Sequence, residues 1–155
     1  TLEFMDYLID ETNPIDVKMA LINELSWDIN GKSNAVLFEN YLKKLNIYKY
    51  EHDFLTNARG DLILCMAYLM ALDDYNDVLI AATYADNALE KNPDSYTFNI
   101  IAALIHAQEA FTYDWCKVFA LTDEVRRNKK LEKDMRSDAI RMIFEYMDLY
   151  EEECG

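Results

Sequence analysis

The chain is poor in the residues that break regular structure. It has three glycines and two prolines in 155 residues, too few for the many tight turns of a β-sandwich or barrel. The same scarcity rules out a glycine-rich phosphate loop, and no Gly-x-Ser-x-Gly elbow is present. Histidine occurs twice. His52-Asp53 is the dipeptide of metal-dependent phosphohydrolases, but that chemistry needs further histidines and an aspartate to hold the metal. The second histidine, His106, lies in an apolar stretch and reads as a satisfied core residue. The carboxylate di-metal bundle is excluded, because it needs two Glu-x-x-His motifs and the chain has none. No metal or cofactor is expected.

Cysteine is equally sparse. Cys65, Cys116 and Cys154 form no disulfide framework by number or spacing, and Cys65 and Cys116 read as small core residues. Cys116 has only Lys117 as a basic neighbour, which is weak support for a nucleophile. Unpaired cysteines and the lack of a visible signal segment favour a cytoplasmic location. The longest apolar run, Leu62 to Leu72, is 11 residues; a membrane span needs about 20. Basic residues are few, with 15 Lys and Arg against 29 Asp and Glu and a net charge of −14. Nucleic acid and anionic membranes select for basic surfaces, so neither is an expected partner.

What is present points to helix. Residues AVILMFWYC make up 52% of the chain, enough for a core, and Leu, Ala, Met, Glu, Asp and Lys dominate, most of them helix formers. A short helix is expected over 2–11. Asn13 and Pro14 fit the N-cap and first position of a second helix to about Trp27, and Asn30-Gly31 ends it in a turn. Ser33 or Asn34 caps a third, with Ala35, Phe38, Leu42 and Leu45 as its apolar stripe. In 47–54, Tyr48, Tyr50, His52 and Phe54 alternate with charged residues. That is the period of an extended segment, and without a second strand it predicts a connector or a frayed helix start.

Residues 61–72 are apolar on every side, as in the central helix of a bundle. A turn at Asp73–Asn76 leads to a helix over 77–91, and Asn92-Pro93-Asp94 breaks it. The helix over 95–110 is again apolar nearly all round, and 113–127 is amphipathic. The last helix, about 131–153, sets Ile140, Ile143, Met147, Tyr150 and Cys154 on a heptad-like seam for packing on another helix.

The stretch from Asp77 to Ser95 resembles the second helix of a tetratricopeptide repeat. Ala81 and Ala88 stand at the small positions where two helices cross, and Pro93 is the terminator. The resemblance covers about one unit, Leu62 to Ser95. The first-helix positions usually held by Trp, Leu, Gly and Tyr are here Cys65, Tyr68, Leu69 and Leu72. It implies helical hairpins, and a peptide groove at Ile63, Met66, Met70, Ile100 and Leu104. Those residues are apolar enough to predict burial under neighbouring helices.

These observations predict a single all-α domain over 1–155, a bundle of about seven helices. It divides into N-terminal helices (1–45), a connector (46–60), two central tetratricopeptide-like hairpins (61–127) and a C-terminal helix (128–155). The implied role is a non-enzymatic module that binds a protein partner. Its candidate contact residues are Tyr48, Tyr50, His52 and Phe54 in the connector, and Arg126, Arg127, Lys129 and Lys130 in a basic island. Between Arg126 and Arg141 there are seven basic and three acidic residues.

That island and the acidic 145–153 end oppose the helix dipole and suggest a homodimer of antiparallel C-terminal helices. The alternatives are an acidic nucleic-acid mimic using Asp73, Asp74, Asp77, Asp86, Glu90 and Asp94, and a bundle with a small-molecule pocket. Two short motifs are incidental: Ser26, Asp28, Asn30 and Gly31 are spaced as in a calcium loop, but Leu37 stands where its bidentate Glu belongs. Arg59-Gly60-Asp61 spells an integrin-binding tripeptide.

Overall fold

The apolar run at the middle of the chain is the axis of the molecule. A computed structural model describes residues 2–28, 33–75 and 77–155, the side chains of Trp27 and Asp28 excepted. The turn at Asn30-Gly31, the calcium-like spacing and the end of the Asp73–Asn76 turn therefore lie at least partly outside the described residues. The helices are α1 (Leu2–Ile9), α2 (Ile15–Asp28), α3 (Asn34–Lys44), α4 (Glu51–Asn57), α5 (Gly60–Asp73), α6 (Leu79–Lys91), α7 (Tyr96–Ala110), α8 (Trp115–Arg127) and α9 (Ser137–Met147), followed by a 3-10 turn, η1 (Asp148–Cys154). The fold is all-helical, with nine α-helices among the described residues in place of about seven. Among those residues there is no strand, and Ser95 and Glu132 form an isolated bridge.

Helix α5 has no solvent face: Ile63, Leu64, Cys65, Met66 and Ala67 are fully buried. It is walled by α1, α2, α3, α6 and α7. Each large aliphatic side chain so enclosed contributes roughly 1.5–3 kcal/mol relative to exposure. Helices α5 and α6 pack antiparallel, with alanines at the contact: Ala81, Ala85 and Ala88 are buried. At the other end of the pair, Gly60 meets α6 so closely that a Cβ would lie 2.1 Å from Asn92 Oδ1. Helix α7 packs on both α6 and α8. Of the groove positions, Ile63, Met66 and Ile100 are fully buried, while Met70 and Leu104 are partly buried against the core.

Several helix starts are capped by carboxylates from distant segments. The Ala35 amide of α3 donates to Asp73 Oδ2 at 2.8 Å. At α7, Ser95 Oγ accepts from the Phe98 amide at 3.1 Å, and Asp134 Oδ1 accepts from the Thr97 amide at 2.8 Å. At α9, Asp16 accepts from the Arg136 amide at 3.0 Å and from its guanidinium at 2.6 Å. Each such cap satisfies an orphan N–H and places negative charge at the positive end of a helix, worth about 0.5–2 kcal/mol. Helix α3 ends in a Schellman turn. Asn46 adopts φ 58°, a left-handed conformation that asparagine tolerates, and the Ile47 amide reaches the Leu42 carbonyl at 2.9 Å.

The segment expected as a connector or frayed helix start runs without regular structure to Tyr50 and then forms a helix, α4. The last helix begins at Ser137, not near 131: Asp134 is drawn to the start of α7, Glu132 pairs with the chain at 94–96, and Met135 is buried. Tertiary contacts thus override helix propensity over 131–136. Lys129, Lys130 and Lys133 consequently lie off α9, which keeps Arg141. The heptad seam instead packs within the chain, α9 and η1 against α8.

The start of α5 carries the most deeply buried charge. Lys18 is 1% exposed and donates to Asp61 Oδ2 at 2.9 Å, and Arg59 Nε donates to Asp61 Oδ1 at 2.9 Å. Burial, the largest influence on Asp61, pushes its pKa up, yet hydrogen bonds and charge from Arg59 and Lys18 together hold it below the ordinary 3.8. A depressed carboxylate stabilises the fold fully above its ordinary value and loses that contribution as pH falls through the lowered one. Asp61→Asn is expected to cost about 3 kcal/mol, since it leaves the Lys18 ammonium buried without a counter-charge, whereas Lys18→Met should cost much less because Asp61 keeps Arg59. Urea denaturation at neutral pH checks both. The asparagine variant should also lose part of the acid sensitivity of the parent below pH 3.8.

Candidate interaction surface

The proposed contact residues of the connector divide between core and surface. Tyr48 and Phe54 are buried, with ring centroids 4.9 Å apart. Phe54 also meets Tyr84. They are core residues, because the chain turns into α4 after Tyr50 and the period of two does not hold. Tyr50 and His52 remain exposed. His106 is a second correction: it is no core residue but a surface group, 33% exposed, with Nε2 2.8 Å from Asp86 Oδ1. The Arg59-Gly60-Asp61 tripeptide is closed on itself, its arginine paired with its own aspartate.

The basic island is largely neutralised within the fold. Arg126 donates to Asp123 and Asp148, both at 2.9 Å, and its guanidinium lies 4.2 Å from the Phe144 ring centroid. Hydrogen bonding to Asp148, ahead of that to Asp123, holds its pKa above the usual value. Arg127 pairs with Asp123, Arg136 with Asp16 and Arg141 with Glu145. Lys129 and Lys130 are exposed. Arg126 is therefore a clasp between α8 and η1, not a free contact residue.

The structure assembles a different surface at the opposite end of the bundle from Gly60. Phe111 and Trp115, flanking the turn from α7 to α8, have ring centroids 6.1 Å apart. Tyr150 of η1 meets both edge-on, at 5.2 Å and 6.2 Å, and Tyr146 meets Tyr150 at 5.7 Å. The two phenol oxygens are 3.1 Å apart. Burial, then the hydrogen bond and charge interaction with Tyr146, push the Tyr150 phenol up to about 12. Tyr75, after α5, is raised by burial and then by the same Tyr146.

The cluster nonetheless faces water: Tyr75, Trp115 and Tyr146 are each close to half exposed, Tyr113 and Leu149 more so. Met142, one turn before Tyr146 on α9, is 64% exposed and extends the apolar stripe. Aromatic pairs of this geometry contribute about 0.5–1.5 kcal/mol each beyond buried area.

A disulfide fixes this arrangement. Cys116 and Cys154 are bonded, with Cα atoms 4.7 Å apart, while Cys65 is free and buried. This corrects the reading of Cys116 as a small core residue, and of the cysteines whose unpaired state favoured a cytoplasmic location only Cys65 remains free. Cys116 follows Trp115 and Cys154 lies four residues after Tyr150, so the bond holds η1 over the start of α8. Sequence could have raised the pairing: Cys154 ends the apolar seam, and Cys116 lies at the start of the amphipathic helix that receives it. Buried Cys65, its thiol pushed up to about 12 by desolvation, is unreactive by comparison.

Two cavities lie elsewhere. One of about 590 Å³ opens beside the starts of α5 and α7, and all its basic groups and two of its carboxylates are engaged within the fold. Lys18 and Arg59 bind Asp61, Lys91 binds the Thr56 and Ala58 carbonyls, and Asp134 caps α7. The other, about 210 Å³, lies between α6, α7 and α8 with Asp86 and His106 among its lining residues. Among the described residues no three His, Cys, Asp or Glu side chains converge as a metal site, and no helix is long and apolar enough to cross a membrane. No protein-family model, curated protein or solved structure matches the chain.

Closing a loop with a sequence separation of 38 residues should stabilise the fold by about 2–4 kcal/mol. Reduction, or Cys154→Ser, is expected to lower the denaturation midpoint accordingly and to weaken the near-ultraviolet circular dichroism of the Trp115–Tyr150 cluster. Non-reducing peptide mapping should return one 116–154 cross-linked fragment and an alkylatable Cys65 after denaturation.

Proposed function

We propose that the chain is a non-enzymatic helical protein–protein interaction module, similar in plan to the tetratricopeptide class, that presents an aromatic surface at one end of its bundle. The observation that carries this reading is the chain of ring contacts through Trp115, Tyr150 and Tyr146, in which Trp115 and Tyr146 are close to half exposed, as is Tyr75 nearby. Tyrosine, tryptophan and methionine are the residues enriched at the energetic centres of interfaces. Single exposed apolar residues need no explanation, whereas a joined patch of large rings on a highly charged chain does.

The geometry favours a pre-formed surface. The rings are braced by one another, by the Cys116–Cys154 bond and by the Arg126–Asp148 pair. A partner would then meet aromatic side chains that lose little freedom on binding. The acidic-mimic alternative has less support, since two of its carboxylates are engaged inside the fold: Asp73 caps α3 and Asp86 holds His106.

The test is site-specific photocrosslinking in a lysate of the source cells. A benzophenone amino acid at position 113 or 142 should yield a discrete adduct with another protein, competed by unlabelled parent chain. The same probe at Glu90, on the opposite end of α6, should not. Equal labelling from all three positions, or no adduct from 113 and 142, would overturn the proposal.

A further inference from the structure

We infer that the aromatic surface takes a basic partner segment, one that carries arginine or lysine interleaved with apolar side chains. The inference rests on the interaction-module reading and adds the chemistry of the partner. Its ground is the charge around the rings. The segments that carry the surface, 74–77, 109–117 and 145–153, contain nine carboxylates and one lysine. Some of these acids are engaged: Asp148 by Arg126, Glu145 by Arg141, and Asp114 as the cap of α8. Glu151, Glu152 and Glu153 are exposed and, among the described residues, take part in none of the ion pairs. They sit on the same 3-10 turn as Tyr150, next to the rings.

Rings beside carboxylates form a site for cations. The negative face of an aromatic ring attracts a guanidinium or ammonium, by about 0.5–1 kcal/mol when exposed and about 2 kcal/mol when desolvated. The neighbouring carboxylate then accepts its hydrogen bonds. The chain already makes this pairing internally a turn away. Arg126 lies over Phe144 at 4.2 Å while bonding Asp148 through two nitrogens at 2.9 and 3.2 Å, and Lys117 lies over the Tyr113 ring at 5.5 Å. Trp115, Tyr146 and Tyr150 have carboxylates as close neighbours in sequence and, among the described residues, no cation of the chain over their rings. A second copy of this chain is a poor occupant, because two faces of like charge would meet at the centre of the interface.

The experiment titrates the full disulfide-bonded chain with two synthetic helical peptides, one bearing arginine and leucine on one face, the other with glutamate at every arginine. Binding is read by anisotropy and by amide shifts in the labelled chain. Expected are shifts confined to residues near 75, 113–117 and 142–153 and no binding of the glutamate peptide. The triple variant Glu151→Gln/Glu152→Gln/Glu153→Gln should weaken binding by roughly tenfold, and Glu90→Gln should leave it unchanged.

Equal loss from Glu90→Gln would show attraction to the net charge alone and overturn the inference. So would undiminished binding by the triple variant, shifts centred elsewhere, or failure of the arginine peptide to bind. If the crosslinks at 113 and 142 form while the arginine peptide fails, the interaction surface stands and its basic partner does not.

Discussion

Everything in this fold is arranged around one helix that has no solvent face. Because α5 is apolar on every side, it has to be walled completely, and the walls are α1, α2, α3, α6 and α7. Its two ends carry aspartates that bind neighbouring elements. At its start Asp61 gathers Lys18 and Arg59; at its finish Asp73 reaches across to the first turn of α3. The burial supplies the driving force, and the charged contacts at the two ends fix which neighbours dock there.

That constraint also accounts for part of the chain's acidity. Asp16, Asp73 and Asp134 each stand at the start of a helix far away in sequence, where negative charge is favourable. Most of the remaining carboxylates are on the outside, and five of them lie in 145–153, the segment that carries Tyr146 and Tyr150. One composition therefore does two things. Aspartates are spent on joining helices, while the glutamates of the last turn set the potential of the surface that those helices display.

How much of this was legible in the sequence depends on the range of the interaction. The all-helical class and the central position of 61–72 and 95–110 follow from local pattern, since apolar periodicity acts within one or two turns. The caps from Asp16, Asp73 and Asp134 are invisible locally, and those that involve Asp134 and Arg136 hold 131–136 out of the helix. The split of Tyr48 and Phe54 from Tyr50 and His52 depends on where the chain turns into α4, and the reading of 47–54 as a connector or frayed helix start does not place that point.

The aromatic surface was hidden for the same reason. Tyr75, Trp115 and Tyr150 come from three distant segments, and only the fold brings them together. The disulfide left a faint trace, a cysteine at the end of the seam of the last helix, which becomes informative once that seam is known to pack on α8.

The account makes α5 the last element to let go, and native-state hydrogen exchange reads this directly. The amides of residues 64–72 should exchange only through global unfolding, with the free energy measured by denaturant. Those of α1 and of η1 after reduction should open at lower free energies. Amides of α5 that exchange as readily as those of α1, while the chain remains folded, would contradict the claim that the rest of the structure is built around this helix.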